Sequence, residues 1–209
     1  TGLGIDDRTQ NSYSLIAGGS GSDESIQKTQ VPLLDIIPTV VDLSAAEVEL
    51  SDMPDREFRL RGSILRISAS YDYIIIDCPP SLGMLTVNAL AAATSVLVPL
   101  QCEFYALEGL SQLMRTIDAV KAGLNGALSM QGIVLTMFDS RNKLSAMVAN
   151  DVRDHFGEMV YNTVVPRNVR VSEAPSFGQP VLIYDLKCLG SQAYAALAAE
   201  LLRQEAKAT

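Results

Sequence analysis

The sequence predicts an α/β protein with a doubly wound, mostly parallel sheet and helices on both faces. Short apolar runs alternate with longer segments of helical period, which is the pattern of βα units. One of these runs, residues 73–77, shows no polar alternation, as expected of a strand buried on both faces. It ends on Asp77, and the following Pro79 and Pro80 prevent the chain from continuing at once as strand or helix. We therefore predict a central parallel strand that ends on an acid.

The other elements follow from the same alternation. The predicted strands are residues 33–37, 73–77, 95–100, 132–138, 160–165 and 181–184. The first long helix is predicted to begin where Asp42, Leu43 and Ser44, with Glu47 after them, resemble a capping box, and to end before Pro54. Further helices are predicted over residues 55–70, 82–93 and 105–123 and at the C-terminal end, with right-handed crossovers as the default.

Two of the predicted helices carry an apolar stripe at the spacing i, i+3, i+4 and i+7, which is typical of a face turned towards the core. The stripe residues are Leu110, Leu113, Met114 and Ile117 in the first of these helices and Tyr194, Leu197, Ala198 and Leu201 in the second. We interpret both stripes as core and not as part of a cofactor site.

Length and composition favour one well-packed domain, which we predict to span residues 1–209. The chain is 48% hydrophobic, and its net charge of −8 argues against attraction of the whole molecule to nucleic acid or an anionic membrane, so any such binding must use a local patch.

Cys78, Cys102 and Cys188 are widely spaced and form no C-x-x-C pair. This pattern argues against zinc, an iron–sulfur cluster or a secreted disulfide framework, and it favours a reducing cytoplasm.

Residues 78–102 carry no charge and are long enough for a membrane span. Prolines and polar residues interrupt the run, which divides into a predicted helix at 82–93 and a predicted strand at 95–100, so we expect no span here.

The only histidine, His155, lies beside Phe156 and Gly157 at a predicted helix end with no second ligand nearby. We interpret it as a surface or C-terminal capping residue and not as a catalytic one.

An acid that closes a central hydrophobic strand holds the magnesium shell beside the phosphates in P-loop nucleotidases, and Asp77 has that position. The alternative is an aspartate that caps a turn. A phosphate site also requires a glycine-rich loop ending in Gly-Lys-Ser/Thr, and no such loop is present. The stretch GGSGSDES at residues 18–25 has no lysine and follows no clear strand, so we interpret it as a loop.

Four sequence blocks resemble the ParA/Soj family of chromosome-partitioning ATPases, which carry a deviant Walker A loop. The blocks are YDYIIIDCPPSLGMLTVNAL, VLVPLQCEFYALEGLSQL, VLTMFDSR and VVPRNVRVSEAPSFGQPVLIYD, and the likeness spans nearly all of residues 30–205. In that family the opening TGLGID follows closely on DLDPQGN, downstream of the loop KGGVGKT. The resemblance implies a P-loop nucleotidase fold and an ATPase whose N-terminal strand and phosphate loop are missing from this chain, so we expect these 209 residues alone to be inactive.

The resemblance also implies roles for individual residues, with ATP and Mg²⁺ as cofactors. Asp77 resembles the Walker B acid, a catalytic residue that holds Mg²⁺ through water, and Pro79, Pro80 and Ser81 resemble the switch segment that follows it. The residues that resemble the walls on the adenine side are Met137, Phe138, Pro166, Arg167 and Asn168. The alternatives are ordinary structural roles, with Met137 and Phe138 in the core and Pro166 in a turn.

The partners implied by the resemblance are a second copy of the chain, DNA and a ParB-type centromere-binding protein. Family members form ATP-bound dimers that coat DNA without sequence preference through basic residues, a phosphate-directed and salt-sensitive contact. The candidates in this chain are Arg167, Arg170, Lys187 and Arg203, with a solvated surface as the alternative interpretation. We expect a cytoplasmic, nucleoid-associated protein that binds no membrane, with chromosome favoured over plasmid as cargo.

Two other functions stay open on the sequence. A MinD-type division regulator resembles this chain around Asp77, but that class ends in a basic amphipathic membrane helix. The present C-terminal segment, LGSQAYAALAAELLRQEAKAT, is rich in alanine with scattered charges, which predicts packing and not membrane anchoring. The other function is that of a non-catalytic interaction protein, which the absence of Gly-Lys-Thr supports as well as truncation does.

Overall fold

The structure is a computed structural model that describes residues 2–17, 22–39, 43–79 and 81–208. It confirms an α/β fold with a parallel sheet and helices. The elements are α1 (Ser12–Ala17), β1 (Gln27–Lys28), β2 (Asp35–Ile36), α2 (Leu43–Leu50), α3 (Arg59–Ile67), α4 (Met84–Ala92), β3 (Ser95–Gln101), α5 (Ala106–Gly123), β4 (Ser129–Thr136), α6 (Lys143–Phe156), α7 (Val169–Glu173), α8 (Val181–Tyr184) and α9 (Leu189–Ala208).

The chain divides into two compact units. We call Ile5–Ser95 with Leu113–Ser129 the helical unit, and Thr1–Gly4 with Val96–Gln112 and Met130–Thr209 the sheet unit. The prediction of a single domain over residues 1–209 stays a prediction.

The helical unit is built around one apolar cluster. Helix α1 packs against α2 and α3, and both α2 and α3 pack against α4. The buried members of the cluster are Leu15, Ile16, Leu50, Leu60 and Ala89. A fully buried amide, Asn88 on α4, accepts a hydrogen bond from the backbone N–H of Leu60 at 3.2 Å and donates one to the carbonyl of Arg56 at 2.7 Å. The polar group is therefore satisfied, as a buried amide must be.

A small antiparallel hairpin occupies the region of the first predicted strand. Strand β2 pairs with β1, so only two of residues 33–37 form the predicted strand. Lys28 and Asp35 face each other across the hairpin in an ion pair of 2.7 Å, and the hydroxyl of Tyr71 donates to the same carboxylate at 2.8 Å. Hydrogen bonds from Lys28 and Tyr71 lower the pKa of Asp35. Residues 18–21 of the predicted loop at 18–25 lie outside the described residues.

The predicted central strand at residues 73–77 is not a strand in the structure, and its predicted burial is wrong. Within the described ranges no strand pairs with this segment. Ile75 is 90% exposed and Tyr73 is 54% exposed, whereas Ile76 packs against the apolar cluster of the helical unit. A strand forms only where its backbone N–H and C=O groups pair with those of a neighbouring strand.

The sheet unit contains the β3–β4 pair, and α5 supplies the crossover between these strands. Two parallel bridges, Ile133 with Val160 and Phe138 with Pro166, join β4 to the segment 160–166. These contacts confirm the predicted strands at 95–100 and 132–138 in position, while residues 160–165 pair in parallel without forming a continuous strand. Helix α9 covers a buried cluster of Val134, Tyr161 and Val165 with Ala193, Leu197 and Leu201.

Several helix predictions have mixed outcomes. The α5 stripe is confirmed at its ends, because Leu110 and Ile117 are buried. Residues 181–184 form α8 and not the predicted strand, since Pro180 precedes a turn closed by the N–H of Asp185 on the carbonyl of Val181 at 2.9 Å. On α9, Tyr194 and Ala198 of the predicted stripe are exposed, and Glu200 is buried instead. Asp42 of the predicted capping box lies outside the described residues.

The uncharged run at 78–102 contains α4 and β3, as predicted. A search of the described helices finds none that is long and apolar enough to cross a membrane.

Candidate functional site

Asp77 follows directly on Ile76, which anchors the chain in the apolar cluster of the helical unit. The Asp77 carboxylate is exposed, as are Pro79 and Ser81, and the described residues include no ion pair to it. Pro80, the remaining residue of the predicted switch segment, lies outside the described residues. Cys78 follows Asp77. Partial burial of the Cys78 sulfur and the adjacent charge of Asp77 raise the pKa of this thiol, although the residue as a whole is exposed.

We use the name acid-side loop for the described residues 77–79 and 81–83. One hydrogen bond holds its second part, and another holds the first turn of α4 that follows. The hydroxyl of Thr86 donates to the carbonyl of Ser81 at 2.6 Å. The backbone N–H of Leu85 donates to Oε1 of Glu47 at 3.4 Å. Residues 77–79 thus follow the Ile76 anchor, and residues 81–83 lead into the first turn of α4.

We call Asp77 and Ser81 the acid side. Their chemistry fits a Mg²⁺ ion that is also coordinated by water and phosphate. Asp77 and Ser81 offer exposed oxygen atoms within one short segment, and Mg²⁺ prefers oxygen ligands and retains several waters. In the described part of the chain, no group of three or more His, Cys, Asp or Glu residues could hold a metal by itself. These residues therefore do not supply a complete set of metal ligands. One carboxylate and one hydroxyl suit a magnesium ion whose other ligands are water and phosphate.

The residues predicted for the adenine side lie where β4 ends, in the sheet unit. The N–H of Phe138 donates to the carbonyl of Val165 at 3.2 Å, and the N–H of Arg167 donates to the carbonyl of Phe138 at 3.0 Å. These bonds bring Met137 and Phe138 together with Pro166 and Arg167. Met137 is exposed and has a φ of 52°, in the left-handed region that non-glycine residues seldom adopt. Backbone strain of this kind is concentrated at functional sites.

Asn168 has a second task in this region. Its side-chain oxygen accepts a hydrogen bond from the N–H of Arg170 at 2.9 Å and so caps the N-terminus of α7. Asparagine is a favoured residue at such a cap, and its amide NH₂ stays available as a donor.

A bidentate ion pair next to this site was not predicted from the sequence. Nη2 of Arg141 lies 2.8 Å from Oδ2 of Asp139, and its Nε donates to Oδ1 at 3.0 Å. Hydrogen bonds from Arg141 lower the pKa of Asp139 to about 2, and the charge of Arg167 adds to this effect. The spacing Asp-x-Arg directly after a strand could have indicated such a turn, because an aspartate side chain often bonds the backbone two residues on.

The four basic candidates all lie in the sheet unit and are exposed. Arg170 pairs with Glu173 at 2.9 Å and with Asp185 at 3.6 Å, so nearby carboxylates offset part of its charge. Across the described ranges, Arg167, Lys187 and Arg203 have no ion pair. Helices α7, α8 and α9, which carry or flank the four residues, pack against one another.

Arg203 also borders an open pocket of about 440 Å³ on α9, lined by Asn162, Thr163, Glu200, Arg203, Gln204 and Lys207. Lys207 was not predicted as a basic candidate, although its spacing of four residues from Arg203 places both on one helical face. Asp77, Pro79 and Ser81 belong to the helical unit, whereas the residues predicted for the adenine side and the four basic candidates belong to the sheet unit.

Comparison with known proteins places this geometry in a class of nucleotidases. A family model described as an AAA domain matches residues 1–130. The solved structure of cobyrinic acid a,c-diamide synthase from Mycobacterium smegmatis with bound ADP and magnesium has a TM-score of 0.83 at 32% identity, over 99% of this chain and 78% of that one. The cell division ATPase MinD of Pyrococcus furiosus, at 22% identity, has a TM-score of 0.78 over 97% of this chain and 79% of that chain, a likeness of fold alone. The fold is that of P-loop nucleotidases.

The sequence relatives narrow this class. The chromosome partitioning protein ParA of Caulobacter vibrioides is 57% identical over 98% of this chain and 78% of its own length. The protein of the same name from Myxococcus xanthus is 53% identical over 98% of the chain and 73% of its own length. The sporulation initiation inhibitor protein Soj of Bacillus subtilis is 47% identical over 96% of the chain and 80% of its own length. The chain belongs to the ParA/Soj family.

Proposed function

We propose that the protein containing this chain is a ParA-type partition ATPase. It binds MgATP, dimerises, binds DNA without sequence preference and segregates chromosomal DNA together with a ParB-type partner. The observation that carries the proposal is the 57% identity, along 98% of the chain, to a protein named for chromosome partitioning. Identity at this level extends through both units and not only through the Asp77 region.

In this proposal, the acid side binds the metal. Asp77 holds the magnesium shell through water, and the hydroxyl of Ser81 supplies a second oxygen from the same loop. Magnesium, when bound, neutralises negative charge that develops on the phosphates. The exposed position of both groups supports this role, since an ion that also contacts phosphate needs open coordination positions.

On the adenine side, Met137, Phe138 and Pro166 provide apolar contact surface for a base. The NH₂ group of Asn168 is a donor that can orient the base, because its carbonyl oxygen is already fixed by the α7 cap. Pockets of this kind combine apolar walls with a few directed polar groups. The hydrogen bonds between Phe138, Val165 and Arg167 hold these walls together beyond the end of β4.

The first experiment compares ATP hydrolysis by the full-length gene product with that of its Asp77→Asn variant. Asparagine has nearly the same shape but lacks the charge that retains magnesium, so we expect hydrolysis to fall by about 100-fold or more, the magnitude seen when a charge-stabilising group is removed. Asp72→Asn is the matched control, because Asp72 is also exposed but lies at the start of the apolar run. Its activity is expected to equal that of the wild type.

Other results would favour the two alternatives. A full-length protein that binds no MgATP would replace the ATPase with a non-catalytic interaction protein. ATP-dependent sedimentation with anionic vesicles in place of DNA would favour the MinD-type regulator.

A further inference from the structure

Glu47 on α2 directs its carboxylate to the N-terminus of a different helix. Its Oε1 accepts the hydrogen bond from the N–H of Leu85, in the first turn of α4. That turn contains no acidic residue, and the residue that precedes it, Gly83, makes no side-chain cap. The first N–H groups of a helix lack partners within the helix and attract negative charge. Glu47 therefore caps α4 from a different helix.

Gly83 leaves the space that this carboxylate occupies. A Cβ atom at residue 83 would lie 2.9 Å from Cδ of Glu47 and closer still to Oε1, so the Glu47 carboxylate would have to move away. The backbone of Gly83 has a φ of −83° and a ψ of −170°, an extended conformation open to any residue. A side chain at residue 83 would therefore displace the Glu47 carboxylate without straining the backbone.

Helix α2 contributes to both ends of the acid-side loop. Leu50, which is 1% exposed, belongs to the cluster against which Ile76 packs, directly before Asp77. One turn earlier on the same helix, Glu47 holds the end of the loop at Gly83 and Leu85. The same helix, α2, therefore contributes contacts at both ends of the segment that carries Asp77 and Ser81.

We propose that Glu47 is a positioning residue for magnesium binding, acting through the acid-side loop. The inference rests on the proposed function, because it assigns Glu47 a role in placing Asp77 and Ser81 for that site. Magnesium demands near-ideal octahedral geometry, so a small shift of the loop weakens its binding. Glu47 itself touches neither metal nor nucleotide in this proposal.

The test measures, in the full-length protein, the Mg²⁺ concentration that gives half-maximal ATP hydrolysis, together with thermal unfolding. For Glu47→Ala we expect this concentration to rise about 10-fold, as is usual when a group that supports a metal ligand is lost. Glu47→Gln keeps an acceptor oxygen and is expected to stay close to the wild type. Gly83→Ala should resemble Glu47→Ala, because its methyl group displaces the carboxylate. In the double variant the methyl group fills vacated space, so the two effects are expected not to add.

Glu49→Ala is the matched control. Glu49 lies on the same helix and accepts a hydrogen bond from the hydroxyl of Tyr13, away from the acid-side loop. It should lose stability without a change in magnesium dependence. If Glu47→Ala behaves in the same way, Glu47 is only structural and the inference fails, and additive effects of Glu47→Ala and Gly83→Ala would also overturn it. A wild-type protein that neither binds nor hydrolyses MgATP overturns the proposed function itself.

Discussion

Single atoms decide which residue is tolerated at two glycine positions. Gly83 leaves room for the Glu47 carboxylate, whereas Gly132 in β4 leaves room for a ring and a carbonyl. A Cβ atom at residue 132 would lie 2.6 Å from the Tyr161 ring and 2.8 Å from the carbonyl oxygen of Met159, and the φ of 148° is one that other residues rarely adopt. Both the space and the backbone therefore require glycine at residue 132.

We expect Gly132→Ala to destabilise the protein by about 2–4 kcal/mol, because overpacking and backbone strain act together. Chemical denaturation followed by circular dichroism measures the change. Gly109→Ala on α5 is the control, since a Cβ there meets nothing within 4 Å and alanine is favoured over glycine inside a helix. This control should be neutral or more stable by about 0.5–1 kcal/mol. Equal stability of Gly132→Ala and wild type would contradict the packing of Tyr161 on β4.

At the scale of the element, α9 shows how a buried charge can replace an apolar residue in a helix face. Glu200 is 7% exposed and accepts hydrogen bonds from the backbone N–H of Asn162 and of Thr163, each at 2.8 Å, and from the side chain of Asn162 at 3.1 Å. These bonds fix α9 to the segment that leads to Pro166 on the adenine side. Burial alone raises the pKa of Glu200, but the hydrogen bonds from Thr163 and Asn162 outweigh it and lower the pKa.

Glu200→Ala is expected to cost about 2–3 kcal/mol, because it leaves two backbone donors without their acceptor. The pH dependence has a defined sign. Since the folded pKa is below the ordinary value of 4.5, the stabilisation by Glu200 is fully present above that value and is lost as the pH falls through the lowered pKa. The difference in melting temperature between wild type and Glu200→Ala should therefore narrow below about pH 4.

The control for this measurement is Glu158→Ala, which removes an exposed glutamate that has no ion pair in the described part of the chain. It should leave the melting temperature nearly unchanged at every pH. A gap between wild type and Glu200→Ala that stays constant to pH 2 would show that the charge of Glu200 contributes nothing.

For the whole molecule, charge distribution is the property that matters for DNA. The net charge of −8 opposes binding to a polyanion, so affinity must come from the exposed cations of the sheet unit. Arg170 lies between Glu173 and Asp185, and its reversal to glutamate would place three carboxylates together. Such a change both removes a phosphate contact and adds repulsion.

We therefore expect Arg170→Glu to abolish DNA binding by the complete protein while its ATP affinity stays as in the wild type. Binding is measured by fluorescence anisotropy over a series of salt concentrations. A weaker change such as Arg203→Gln should lower the slope of log affinity against log salt by about 0.9, the value for one phosphate contact. Arg61→Glu, an exposed reversal on α3, is the control with the same change of charge. DNA affinity unchanged in Arg170→Glu would remove this residue from the interface.

The parts of the fold that could be predicted from sequence are those governed by local pattern. Strands β3 and β4 are apolar runs of strand length, and α4 and α5 have helical composition and spacing, so their positions agree with prediction. Residues 181–184 have the apolar, β-branched composition of a strand but form α8, because composition over four residues does not distinguish the two structures.

The residues of the candidate site also differ in whether local sequence pattern could predict them. Asp77 could be located from the sequence because it ends an apolar run. Phe138 and Pro166 were named by resemblance as adenine-side residues, but their pairing was not predicted. The partners of Glu47, Gly132 and Glu200 could not be predicted, since each contact joins residues about 30 or more positions apart.

The sequence by itself determined the alternation of strands and helices, the acid at the end of the 73–77 run and the family to which the chain belongs. The tertiary structure alone decided that this run is exposed, that Glu47 caps α4 and that Glu200 is buried on α9. The physical reason is that local propensity depends on neighbours in the chain, whereas burial and hydrogen-bond partners depend on which distant segments meet in space.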